Sequence, residues 1–266
     1  MEALSFLFYP FAACGLLIMI HVYFGMHILE RGLIFVDLSL AQFIGIGIAC
    51  SVFFGAEDIT KQIYLAVFAA LGAIILSFSR SIARHTNIEA FIGVLYVFSL
   101  SAGVLILDRS PHGTEALKIL LNGNIIWTGP RELLSTLVLY ASIGALHIVF
   151  RAKFRDLSAH GKGAYGWELL FFLSFAAVLI KSIQIAGILQ VFAFLIVPAL
   201  TGKIIAARNV FVLVWGWVLG GLSSLFGLFA SYRWDLPAAP VIIASMSMVY
   251  FTILFCKART GQNTTR

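Results

Sequence analysis

The chain is built from apolar runs of about twenty residues, repeated almost end to end and separated by short polar connectors. A helix needs roughly 20 apolar residues to cross a bilayer core of about 30 Å. Hydrocarbon offers no hydrogen bonds, so each such run must satisfy its backbone internally as a helix. Runs of this kind occupy 4–26, 33–55, 62–80, 88–107, 132–150, 207–230 and 238–256. The stretch 168–202 has 35 residues, too many for one ordinary crossing and few for two. It contains Lys181, Gly187 and Pro198, and it reads as two short crossings meeting near Ile183–Gly187. The fold class is an all-α polytopic membrane protein with about nine spanning helices. Only 11% of the residues are charged, against roughly 25% in a soluble domain. That excludes a soluble enzyme, a nucleic-acid-binding protein and a disordered chain.

Charge placement orients the spans. With the C-terminus inside and nine crossings, the inner segments carry twelve basic residues: Arg31, Arg80, Arg84, Arg151, Lys153, Arg155, Lys162, Lys203, Arg208, Lys257, Arg259 and Arg266. The outer segments carry five: Lys61, Arg109, Lys118, Arg131 and Arg233. This is the excess of Lys and Arg expected on cytoplasmic loops. It puts the N-terminus outside. The spanning region is 1–256 and the polar cytoplasmic tail 257–266. An outer segment at 108–131 holds a short or re-entrant helix over Thr114–Leu121, between Pro–Gly signals. An inner loop at 151–166 begins as a short basic helix, with Gly161, Gly163 and Gly166 ending it.

Chemistry-bearing motifs are few. There is no G-x-x-x-x-G-K-[ST] loop, so the chain has no such means of hydrolysing ATP, and no zincin motif or hydrolytic triad occurs. His21 and His147 lie in spans without a close His or Cys neighbour in sequence, and satisfied packing is the commoner role for such residues. Cys14, Cys50 and Cys256 lie in or beside apolar runs, where a thiol acts as a small hydrophobe.

Asp37, early in the second span, is the most informative residue. A carboxylate inside a membrane costs several kcal/mol unless paired or hydrated, and its default meaning is functional. Two roles are open: a pathway or gating carboxylate, or an anchor paired with a base such as Arg31. Gln42 follows at a different helical angle, and Gly45 and Gly47 permit close helix packing. In the long stretch, Lys181, Gln184, Gln190 and Pro198 are further pathway candidates, with a kink expected at Pro198. Gly216 and Gly220 form a GxxxG spacing suited to packing within the chain or between copies.

Three segments, RGLIFVDLSLAQFIGIGIA at 31–49, KSIQIAGILQVFAFLIVPALTGKI at 181–204 and GLFASYRWDLPAAPVIIA at 227–244, resemble the permease subunits of zinc, manganese and iron ABC importers. LKILLNGNIIWTGPREL at 117–133 resembles the family's pattern between its middle spans. The resemblance implies the type II importer fold and a prokaryotic inner or cytoplasmic membrane location. It implies a second permease copy, two cytoplasmic ATPase subunits that use the ATP, an external metal-binding protein and a divalent metal as substrate. No cofactor is expected on this chain. The segment with Arg151, Lys153, Phe154, Arg155, Asp156 and Leu157 would couple to the ATPase, Phe154 and Leu157 being its apolar contact. Family members commonly carry Asp and, four residues on, His in the second span, followed by a Leu-Pro-Gly turn. Asp37 matches as a transient metal ligand, but Ala41 stands at the His position and Gly45 at the Pro position. A metal chelate or another small solute is the rival cargo. A membrane scaffold for an ATPase and a stand-alone carrier are rival functions.

The topology has a direct check. Cysteines introduced at Thr60 and Thr114 should react with an impermeant thiol reagent in intact cells, and one at Ser158 should not. Labelling at Ser158 would refute the nine-crossing frame.

Overall fold

The computed structural model describes residues 2–82, 85–160 and 165–259. Among them every regular element is helical. In chain order the helices are α1 (Glu2–Arg31), α2 (Val36–Phe53), α3 (Asp58–Ser77), the single turn α4 (Ser79–Ile82), α5 (Ile88–Asp108) and α6 (Gly113–Asn122). A 3-10 turn at Ile125–Trp127 precedes α7 (Pro130–Val149), α8 (Arg151–His160), α9 (Tyr165–Ile205), α10 (Asn209–Trp234) and α11 (Ala238–Arg259). Eight of these helices are long and apolar enough to cross a membrane.

The largest departure from simple spans is α9. Its 41 residues would extend roughly 60 Å at 1.5 Å per residue, about twice a hydrocarbon core. Gly187, at φ 73° and ψ 166°, leaves the helical region and divides α9 into pieces of 22 and 18 residues. Each piece is long enough to span, so the chain has nine spanning-length pieces among the described residues. The break falls where the sequence places it. It does not fall at Pro198, around which the backbone stays helical.

Two boundaries also move. α11 runs to Arg259, so Lys257 and Arg259 are helical rather than part of the tail, and residues 260–266 lie outside the described residues. Gly161 and Gly163 also lie outside them. Gly166 sits in the first turn of α9 rather than closing the inner loop.

The chain forms two compact units, one of Met1–Met26, Asn124–Tyr140 and Leu189–Arg266, the other of His27–Gly123 and Ala141–Ile188. In the second unit, α2 is the core helix, packed against both α3 and α5. Small residues make the packing close. A methyl group at Gly47 would lie 2.8 Å from the Tyr64 carbonyl oxygen of α3, and one at Gly72 would lie 2.9 Å from Leu40 of α2. In the first unit the GxxxG spacing is used within the chain. Gly216 lies against Val22 and the Pro198 carbonyl, and Gly220 against Ile18 and the Pro198 ring. Gly227 lies against Ile242, and Ser245 donates to the Ser223 carbonyl at 3.0 Å, which fixes α11 to α10.

The break in α9 is covered by a turn. Gly123, which ends α6, has φ 63° and touches Gly187 backbone to backbone. A methyl group at Gly123 would lie 2.1 Å from the Ala186 carbonyl carbon, and one at Gly187 would lie 2.2 Å from the Gly123 amide nitrogen. Positive φ costs an L-residue roughly 1–2 kcal/mol, and the backbone overlap adds to it. Gly123→Ala and Gly187→Ala should therefore each lower the detergent-solubilised thermal midpoint markedly. Gly144→Ala, with no atom within 4 Å of the added methyl, should leave it unchanged. Equal midpoints in all three variants would show that this contact is not structural.

Candidate translocation site and coupling helix

The chain leaves α1 through Gly32, at φ 67°, and enters α2 without a side-chain cap at Phe35. Asp37 then falls in the first turn of α2, where the partial positive charge of the helix end favours a carboxylate by roughly 0.3–1 kcal/mol. That offsets only part of the burial cost. Asp37 is 1% exposed, and its Oδ1 has no hydrogen-bond partner among the described residues. Ser39 on α2 and Ser99 on α5 are also fully buried, with hydroxyls that lack partners among the described residues. Gln42 and Ala41, further along α2, are also buried. Phe35 and Leu38, two residues before and one residue after Asp37, line an open apolar groove with Gly93, Val94 and Val97 of α5.

The remaining pathway candidates lie on α9. Lys181 is half-buried on the first piece of α9. Gln184 donates to Gln62 Oε1 of α3 at 3.2 Å. Gln190 and Pro198 belong to the other unit, where Gln190 is fully buried with its Nε2 4.0 Å from Cys14 Sγ. His21 Nδ1 lies 2.7 Å from the Leu17 carbonyl, and His147 Nε2 lies 2.8 Å from Ser174 Oγ. No group of three His, Cys, Asp or Glu side chains suited to holding an ion occurs among the described residues.

Arg31 does not serve Asp37. It forms an ion pair with Glu168 at the start of α9, Nη2 to Oε1 at 3.8 Å. Its guanidinium lies 4.7 Å from the centre of the Phe171 ring. Glu168 was not singled out by its sequence position, because no sequence rule links two residues so far apart in the chain. Its only signal is a lone acidic residue at the entrance of an apolar run.

Helix α8 is present, but its faces are the reverse of the expectation. Phe154 and Leu157 are buried within this chain, at 0% and 1% exposure, and so are not available to a partner. An amphipathic helix places its i, i+3 apolar pair on the nearest apolar surface, here its own neighbours. The Phe154 ring stacks on His147 with centres 4.0 Å apart, and Trp167 and Phe171 complete the aromatic cluster. Arg151, Lys153, Arg155 and Asp156 remain exposed.

Phe154→Ala should therefore destabilise the chain by about 3–5 kcal/mol, the usual cost of emptying a buried aromatic site. Lys153→Ala should change stability by less than about 0.5 kcal/mol. Arg31→Ala and Glu168→Ala should each destabilise the chain by breaking this buried ion pair, and the double variant should cost less than the two changes summed. Chemical or thermal unfolding in detergent measures all five variants. A stable Phe154→Ala variant would contradict the inward packing.

The sequence matches the ABC 3 transport family over residues 3–257. A probable metal transport system membrane protein of Chlamydia trachomatis is 22% identical, with 90% of this chain and 85% of that protein covered. The manganese transport system membrane protein MntC of Listeria monocytogenes is 22% identical, with 89% and 85% covered. PsaBC from Streptococcus pneumoniae, solved in complex with a Fab, superposes with a TM-score of 0.78 at 21% identity, covering 95% of this chain and 93% of that one. Spans, fold and sequence agree: the chain is a multi-pass membrane protein with an ABC importer permease fold, and it belongs to the ABC 3 transport family.

Proposed function

We propose that this chain is the spanning permease of an ATP-driven importer that moves a divalent metal ion by alternating access. Asp37 carries the reading. It is a carboxylate buried in the first turn of α2, with an oxygen left without a partner among the described residues. It stands where the resembled family has one. The manganese transport role of a relative supports a metal as cargo. In this conformation Asp37 is closed off, so cargo reaches it only when the packing around α2 opens. That is the behaviour expected of a pathway group in a transporter that exposes its site to one side at a time.

The permease would act as a pair, with two cytoplasmic ATPase subunits using the ATP and an external binding protein delivering the metal. The exposed charges Arg151, Lys153, Arg155 and Asp156 would meet the ATPase. Phe154 and Leu157 would transmit that contact into the aromatic cluster beneath α8. Packed side chains there turn a push on the helix into a displacement of α7 and the start of α9.

A metal chelate as cargo is the second reading. Ala41 in place of an imidazole leaves a single protein ligand in α2, which suits a metal that arrives with ligands of its own.

Asp37→Asn keeps shape and hydrogen-bonding capacity while removing the charge. Metal uptake should fall, with insertion, pairing and basal ATPase activity retained. Ala41→His restores the i, i+4 carboxylate–imidazole pair and should hold zinc more tightly with slower turnover. Because Ala41 is 2% exposed, Ala41→Leu serves as the size control for overpacking, which costs roughly 1–3 kcal/mol. Unchanged binding and uptake in Asp37→Asn and Ala41→His would remove α2 from the pathway.

A further inference from the structure

In the unit containing Leu189–Arg266, three helix ends meet at one corner. A methyl group at Gly202 would lie 2.4 Å from the Val212 carbonyl oxygen, so the end of α9 lies directly against the first turns of α10. Lys257, near the end of α11, donates to the Ile204 carbonyl of α9. These two contacts gather Lys203, Arg208, Lys257 and Arg259 at the same corner. Arg208 and Arg259 are exposed and Lys203 is half-buried. Between Leu189 and Arg259 the one acidic residue is Asp235, which sits past the opposite end of α10. Among the described residues, Lys203, Arg208 and Arg259 have no ion-pair partner.

An apolar groove adjoins the cluster along the last two turns of α11, lined by Phe251, Thr252, Leu254, Phe255 and Ala258. The Thr252 hydroxyl donates to the Met248 carbonyl at 2.8 Å, so its polarity is spent within the helix. Arg259 bridges the two features, its guanidinium 4.3 Å from the centre of the Phe255 ring. α10 begins at this corner with no side-chain cap at Arg208, so the positive end of its dipole adds to the same field.

We infer that this corner is a binding site for an anionic phospholipid, with the phosphate held by Arg208, Arg259 and Lys203 and an acyl chain in the α11 groove. Cations above an apolar groove match a molecule that carries an anion on a hydrocarbon tail. A soluble anion makes no use of the groove. The groove runs along α11, a helix long and apolar enough to cross a membrane, where a lipid tail is the natural neighbour. Charge bias assigns this corner to the inner leaflet, where basic pockets between spanning helices recognise lipid headgroups.

The test is native mass spectrometry and thermal shift of the full chain in neutral detergent, with phosphatidylglycerol, phosphatidylcholine or inorganic phosphate added. Phosphatidylglycerol should stay bound and raise the midpoint. Phosphatidylcholine and inorganic phosphate should not. Each basic side chain near a membrane surface contributes about fivefold in affinity, so Arg208→Gln with Arg259→Gln should retain on the order of 25-fold less phosphatidylglycerol. Ala258→Trp fills the groove with the charges intact and should also lose the lipid, which keeps the test decisive if the charge variant misfolds. Arg233→Gln, at the far end of α10, should bind as the unaltered chain does. Equal retention in the Arg208/Arg259 or Ala258 variants would overturn the site, as would equal stabilisation by inorganic phosphate or phosphatidylcholine.

Discussion

A backbone in hydrocarbon has no water to bond with, and each unpaired amide or carbonyl there costs several kcal/mol. The rest of this molecule follows from that. Spans must be helices, and helical backbone can be interrupted only where protein covers the gap. Gly187 interrupts α9 and is covered by the turn that ends α6, through Gly123. Both residues hold positive φ and both lie within backbone contact, so the break needs glycine twice. The short helix α6 is thereby more than a connector: its end closes the weakest point of the longest helix.

Between spans, hydrophobicity gives no direction, because lipid tails are as apolar as leucine. The molecule uses shape instead. Gly47, Gly72, Gly216 and Gly220 each allow a neighbouring helix to approach closer than a side chain would permit. The contrast between α2 and α5 shows the consequence. Both are strongly apolar, yet 72% of the apolar window of α2 is buried and only 17% of that of α5. Hydropathy found both helices and did not distinguish the core helix from the exposed one.

The few polar groups in the membrane divide by what they can reach. Arg31 finds Glu168 and the face of Phe171, and so becomes structural. Asp37, six residues later, is buried with an oxygen that has no partner among the described residues. A chain selected only for stability would replace such a group with an apolar one, because an unpaired buried charge is costly and its removal is not. The proposed function gives this group a use, as a side chain that cargo would pass. The inward-turned Phe154 and Leu157 seat α8 on the chain, while Arg151, Lys153, Arg155 and Asp156 stay exposed.

The sequence by itself determined the helical membrane architecture, the positions of the spans, the break near Gly187 and the family, because these rest on run length, local backbone chemistry and motifs contiguous in the chain. It also marked Asp37 as exceptional from the cost of a carboxylate in an apolar run. Only the tertiary structure decided that Gly123 seals the break, that Arg31 serves Glu168 rather than Asp37, that the GxxxG of α10 packs within the chain, and that Phe154 faces inward. Each of those depends on which surfaces meet across long stretches of sequence. In a membrane, where every helix face is apolar, side-chain shape and the few buried charges choose the neighbours, and neither leaves a periodic trace in the sequence.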